Sequence, residues 1–284
     1  MKLNNLPINA LVAYPYVNTL IDEYLAINKS KFRILLDSGA FTAWKAGKEI
    51  KLDDYCKFLD TLKFKPYKYF TLDVIGNPKE TLNNYNTMIK RGYKPVPIFT
   101  RGEDISLLEE YYKTSDIVGI GGLVGTKKNK QFVNGLMKRI KKRKVHWLGF
   151  TNIQYIKYYK PFMCDSSAWL TGPRYASTNL YLGNGQFAKL NKKDLFQEKD
   201  FMQGEHKKIK DTLTLYGFNY FDLLKSESWR GGNSLISNIC ATSYLRLSND
   251  LESAISTKLF LAGVSLSGLK QFITNYERLR SIAT

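Results

Sequence analysis

Apolar and polar residues alternate along this chain in blocks. Short apolar runs of about four to eight residues are followed by longer stretches whose apolar positions recur every three or four. The runs read as buried strands and the stretches as amphipathic helices. Ala10 to Tyr14 is the first predicted strand, Phe32 to Asp37 the second, and Leu52 to Leu62 a helix with Asp53 and Asp54 in its first turn. Tyr67 to Val74 is a third strand, and Asn77-Pro78 opens a helix that runs to about Arg91-Gly92, with a capping residue ahead of proline. Lys94 to Thr100 is a fourth strand, and Asp104 caps a helix ending near Thr114. Asp116 to Gly122, Val145 to Phe150 and Phe162 to Asp165 complete seven strands, separated by helices at Asn129 to Lys142 and Asn152 to Tyr159.

A strand roughly every 25–35 residues, with helices between, is the signature of repeated βαβ units. Seven strands, with a weak eighth at Asn179 to Leu182, favour an α/β fold of the TIM (β/α)8-barrel type over an open doubly wound sheet. After Gly172 the rhythm breaks. Thr171 to Lys192, rich in Gly, Asn, Tyr and Ser, reads as a long loop or irregular hairpin. From His206 onward the pattern is helical, at Lys207 to Leu215, Tyr220 to Lys225, Asn233 to Leu247 and Leu269 to Arg280. The expected organisation is a catalytic barrel over residues 1–205 with a helical extension over 206–284, the two forming one structural unit. For that extension a clamp on nucleic acid, packing against the barrel and a homodimer interface all stay open.

In a parallel β/α fold the C-terminal ends of the strands carry the chemistry. Here strand two ends on Asp37-Ser38-Gly39, strand three on Asp73, strand five on Gly121-Gly122-Leu123, strand six on Gly149-Phe150-Thr151, and strand seven on Asp165-Ser166-Ser167. One such tip is an ordinary turn or cap. Three carboxylates and two glycine turns at equivalent tips make a candidate active site. Of the three, Asp165 is the least like a helix cap, since the residues after it do not resemble a helix start.

Composition changes the picture mainly through charge. The 284 residues include 43 Lys plus Arg against 25 Asp plus Glu, a formal net charge of +18, which points to a polyanion such as nucleic acid. Lys127, Lys128 and Lys130 follow the glycine turn, the stretch Lys138 to Lys144 is strongly basic, and Lys192, Lys193, Lys207, Lys208 and Lys210 add to the supply. Arg174 and Arg230, beside Gly-rich or aromatic segments, are candidates for a bidentate phosphate grip. No stretch approaches the length of a membrane span and no signal peptide pattern opens the chain, so a cytoplasmic protein is expected (the host cytoplasm, if phage-encoded). Cys56, Cys164 and Cys240 make neither a disulfide framework nor a CxxC metal pattern, and with only His146 and His206 besides, no metal site is expected. Scarce histidine also argues against Ser-His-Asp or Cys-His chemistry. The nucleotide-binding patterns GxGxxG after the first strand and GxxxxGK[ST] are missing.

The strand-end motifs carry a resemblance. Asp37-Ser38-Gly39-Ala40-Phe41 resembles the Asp-Ser-Gly-Gly-Phe/Tyr motif of tRNA-guanine transglycosylases, and Gly121-Gly122-Leu123-Val124-Gly125 is similar to their Gly-Gly-Leu-Ala/Ser-Val-Gly motif. Trp147-Leu148-Gly149-Phe150-Thr151, Asp165-Ser166-Ser167-Ala168-Trp169 and Arg174-Tyr175 look more like the short DNA-acting branch, the DpdA family. The likeness covers about residues 10–176. The structural zinc site of the tRNA enzymes, three cysteines and a histidine, has no counterpart here.

This resemblance implies a base exchanger that replaces guanine in DNA with a preformed 7-deazaguanine such as preQ0, needing no other cofactor. It implies Asp165 as nucleophile, Asp37 as acid/base and Asp73 on the guanine edge. Ser38, Gly39, Phe41, Gly121, Gly122, Leu123 and Gly149 would line the base pocket, with Phe41 and Phe99 candidates to sandwich the ring. A tRNA-guanine transglycosylase, a glycosidase that only removes the base, and a non-catalytic nucleic-acid-binding barrel remain the alternatives.

Overall fold

The computed structural model describes residues 3–123, 129–192, 195, 203–229 and 234–283. All seven predicted strands form: β1 (Ile8–Ala13), β2 (Phe32–Asp37), β3 (Lys68–Tyr69), β4 (Ile98–Thr100), β5 (Ile117–Gly121), β6 (Lys144–Trp147) and β7 (Met163–Ser166). β3 and β4 are shorter than their apolar runs. Pro95 and Pro97 remove two ladder donors just ahead of β4, which limits pairing there. The helix starts follow the predicted chemistry. Asn77 accepts from the Glu80 amide at 3.1 Å, Asp104 from that of Ser106 at 2.9 Å, and Asn152 from that of Tyr155 at 3.2 Å.

The eighth strand is not where the sequence placed it. Asn179 to Leu182 is extended, but it belongs to a separate antiparallel hairpin of β8 (Ser177–Gly183) and β9 (Gln186–Asn191). The strand that completes the sheet is β10 (Lys258–Ala262), which lies between β7 and β1 and is parallel to both. The segment 206–284 is therefore not a purely helical extension, because it supplies an interior strand. The run Lys-Leu-Phe-Leu-Ala is too short for its periodicity to separate strand from helix. Ser256, in the left-handed conformation, ends the preceding helix and frees the run to extend.

The result is an α/β fold with an eight-stranded, all-parallel curled sheet in the order β3-β2-β1-β10-β7-β6-β5-β4, compatible with a TIM-like barrel. No ladder joins the outer strands β3 and β4. One bridge links them, Phe70 to Val96, with the Thr71 amide donating to the Val96 carbonyl at 3.0 Å and the Val96 amide to that of Tyr69 at 2.8 Å.

Side chains on successive strand residues point to opposite faces, and this sorts the core into two layers. Leu35, Phe70, Val96, Ile98, Ile117, Met163 and Phe260 form one buried cluster, drawn from strands all around the sheet. Their alternate neighbours, such as Ile34, Leu36, Val118, Ile120, Trp147 and Cys164, join the larger cluster under the helices. The helix Leu235–Ile255, which leads into β10, is tied to both neighbours. Its Ser243 hydroxyl accepts from the Tyr181 amide of the hairpin at 3.0 Å, and its Ser248 donates to the Leu259 carbonyl at 2.7 Å. Among the described residues no helix is long and apolar enough to cross a membrane.

Candidate active site

The alternation that buries Leu35 in the inner cluster turns Asp37, two residues on, to the same side at the end of β2. By the same rule Asp165 follows Met163 on β7. Register places Ala13 opposite Asp37 and Phe260 opposite Asp165, while Gly121 ends β5 beside Thr100. Asp73 lies beyond β3, past the bridge at Phe70, rather than on the strand itself.

Each carboxylate is held differently. Asp37 Oδ1 accepts the Gly39 amide at 2.6 Å, which is the turn geometry an Asp-Ser-Gly triplet commonly makes. Gly39 takes φ +77° as the cap of the helix Ala40–Lys45, and a Cβ there would stand 2.2 Å from Pro15 Cδ, so only glycine fits. Ser38 is buried and donates to Asp73 Oδ1 at 2.9 Å. It therefore acts on the site by fixing Asp73. Asp165 Oδ1 accepts a hydrogen bond from the Gly149 amide at 2.9 Å and lies 2.9 Å from Nε2 of the His146 ring. Helical turns do follow Asp165, at Ala168–Leu170 and Thr171–Arg174, contrary to expectation. Asp165 still caps neither, because the Ala168 amide is taken by the Ser166 hydroxyl at 3.1 Å.

Electrostatics ties the three together. Burial, then the neighbouring Asp73, push the Asp37 carboxyl up to about 7; the Gly39 amide pulls against them, and Asp165 adds a further push. Burial also raises Asp73, against the hydrogen bonds from Ser38 and its own amide. Among the described residues none of the three forms an ion pair with Lys or Arg; their one charged-type contact is His146 with Asp165. In a chain of net charge +18 that is a local arrangement against the global trend.

Other predicted residues fall in varied places. Phe41 is 52% exposed beside Asp37's turn, stacked on Trp44 with Lys45 Nζ 4.3 Å from its ring centre. Gly122 is exposed with φ +70°, and Gly149, at φ +62°, spends its amide on Asp165 rather than simply leaving room for a ring. Leu123 and Phe99 are buried in the apolar core at 1% exposure each, so the Phe99 ring cannot sandwich a base and the Leu123 side chain faces the core. Arg174 is exposed on the turn after β7, with no ion pair among the described residues. Lys130 is exposed at the start of the helix after β5. Lys127, Lys128 and Arg230 lie outside the described residues.

Lys144 begins β6, at the opposite end of the sheet from the carboxylates, and pairs with Asp116 at 3.0 Å; Arg143 makes a two-pronged pair with Glu109 at 2.7 Å. The end of the basic stretch Lys138 to Lys144 does not line the site. His146 is the residue that sequence reasoning missed. The available signal was a polar residue at an inward position of an apolar strand.

The three cysteines are free, buried thiols. Among the described residues no cluster of three or more His, Cys, Asp or Glu has the geometry to hold a metal ion. No family model, curated protein or solved structure matches the chain.

Proposed function

We propose that this protein exchanges guanine in DNA for a 7-deazaguanine base, such as preQ0, through a covalent Asp165–deoxyribose intermediate, on a (β/α)8 barrel of the transglycosylase type. The observation that carries the reading is the gathering of three carboxylates on one rim, unpaired with Lys or Arg among the described residues, one of them pushed up to about 7. A carboxyl with a pKa of about 7 can give a proton and take one back under a single set of conditions, which is what base exchange demands.

Retention at C1′ requires two displacements. In the first, an oxygen of Asp165 bonds to C1′ as the C1′–N9 bond breaks. The electron pair leaves with guanine, which takes the proton of Asp37. In the second, the incoming base gives its N9 proton to the Asp37 carboxylate and N9 bonds to C1′. The pair of the ester bond then returns to Asp165. Atoms and charge balance between the two bases.

Asp73, braced by Ser38, accepts from the N1/N2 edge shared by guanine and 7-deazaguanine. Gly121 and Gly122 bring backbone to the opposite edge, and Phe41 offers an exposed aromatic face at the mouth. C1′ cannot be reached in a stacked duplex, so the nucleotide is flipped or single-stranded. Arg174, Lys130 and the net positive charge supply phosphate contacts, and a cytoplasmic setting fits the substrate.

The test is to incubate the protein with guanine-containing DNA and candidate bases, digest the DNA, and analyse the nucleosides by mass. A new deoxynucleoside is expected. None with any base, beside a working positive control, overturns the proposal. Modification of tRNA in preference to DNA, offered in competition, moves the substrate to RNA. Guanine release without incorporation makes the protein a glycosidase.

A further inference from the structure

His146 sits fully inside the sheet, with 0% of its side chain exposed, its ring tilted at 59° against Phe70 at a ring-centre distance of 4.9 Å. Its Nε2 is 2.9 Å from Asp165 Oδ1, and its Nδ1 is buried without a hydrogen-bond partner among the described residues. Those facts select a tautomer. A proton on Nδ1 would be a buried donor with nothing to receive it, whether in the imidazolium or in the other neutral form. The other neutral form would also set the Nε2 lone pair against the lone pairs of Oδ1, which already accepts from Gly149. The Nε2–H form satisfies the carboxylate and leaves only an acceptor unpaired.

We propose that His146, as the Nε2–H tautomer, is a positioning residue that joins Gly149 in holding Oδ1 of Asp165 and so assigns the attack to Oδ2. Both hydrogen bonds of Asp165 among the described residues fall on Oδ1, at 2.9 Å each, so Oδ2 keeps its lone pairs unengaged. Two donors from one neighbouring strand and its turn fix the plane of the carboxylate, which the flexible Asp side chain could not fix alone. When Oδ2 bonds to C1′, Oδ1 becomes the ester carbonyl and stays hydrogen-bonded. When the incoming base displaces the ester, the returning charge is received by the same two donors. The term attack rests on the transglycosylase reading; the anchoring of Asp165 does not.

Two measurements separate these. The chain has only two histidines, His146 and His206, so ¹⁵N-imidazole NMR of the full-length protein, assigned with His206→Gln, reads the ring directly. Protonated Nε2 and unprotonated Nδ1 are expected at His146, with the Nε2–H signal lost or shifted strongly in Asp165→Ala. An Nδ1–H or doubly protonated ring, or a spectrum indifferent to Asp165→Ala, overturns the proposal. In the exchange assay His146→Phe, which keeps a flat ring beside Phe70 but no donor, should lower kcat by about 10²-fold with KM for DNA little changed. His146→Gln, whose amide nitrogen reaches the place of Nε2, should recover most of that loss. A kcat unchanged in His146→Phe overturns the positioning role, as does a loss in KM alone. The expected spectrum in a protein that exchanges no base supports the anchoring and instead removes the transglycosylase reading.

Discussion

The two ends of one sheet treat acidic residues in opposite ways. Near the N-terminal end two acids are paired with cations. Glu252 accepts from Arg33 at 2.7 Å, with Lys258 at 3.9 Å, and Asp116 lies between Lys68 at 3.1 Å and Lys144 at 3.0 Å. At the C-terminal end, among the described residues, Asp37, Asp73 and Asp165 meet amides, a hydroxyl and an imidazole and no Lys or Arg. Strand β2 shows both regimes on a single face, with Arg33 at one end, Leu35 in the middle and Asp37 at the other. Four residues of extended chain separate that cation from that anion by roughly 13 Å. The apolar plug between them keeps Arg33 from neutralising Asp37. Paired acids hold a structure together, and unpaired acids kept at a rim are available for chemistry.

The contrast can be broken at either end. Asp165→Ala should lower base exchange by more than about 10³-fold while DNA binding, followed by anisotropy, stays close to wild type. Retained exchange would take the nucleophile's role from Asp165. At the other end Glu252→Gln leaves Arg33 and Lys258 uncompensated and should cost about 2–3 kcal/mol of stability in a denaturant melt. Its kcat per folded molecule should not change; a matching loss of activity would mean the two ends are not separate in function.

Asp37→Asn sharpens the comparison through pH. The folded-state pKa of Asp37, about 7, lies above its unfolded value, so the native state holds the proton more tightly. That contribution is complete below about pH 4 and is lost as pH rises toward 7. Asn cannot ionise, so the variant should gain about 4 kcal/mol on wild type between pH 4 and pH 8, while losing exchange. A stability difference independent of pH would show that Asp37 does not titrate as described. The smallest effect belongs to the surface, where Lys31→Ala removes an exposed pair with Glu277 at 2.7 Å and should change stability by less than about 0.5 kcal/mol.

Much of this rim was legible in the sequence, because an apolar run that stops on a carboxylate reports both a strand and its end. Asp37 and Asp165 end or nearly end runs that do form strands, whereas the run before Asp73 keeps only Lys68–Tyr69 as strand; the alternation of strands with capped helices gives the β/α architecture. What could not be read depends on distance in sequence. His146 matters only because β6 lies beside β7, and nothing in its local run announces that neighbour. The basic stretch Lys138 to Lys144 reads as a supply of positive charge, and only the strand direction shows that Lys144 lies at the far end of the sheet from the carboxylates. Phe99 and Leu123 sit in the right loops and strands, but their side chains turn into the core. The hairpin's apolar alternation imitated the missing strand better than the true one, Lys258–Ala262, did.

The placement of β10 bears on how the molecule is made. As the chain leaves the ribosome, β7 appears with β6 as a neighbour, yet its other edge stays open until Lys258–Ala262 has emerged. β1, among the first strands synthesised, waits for the same segment. The strand carrying Asp165 is thus seated late, and a nascent chain halted after the hairpin would expose two bare edges to aggregation. The strand that carries Asp165 gains its second neighbour only when that late segment docks.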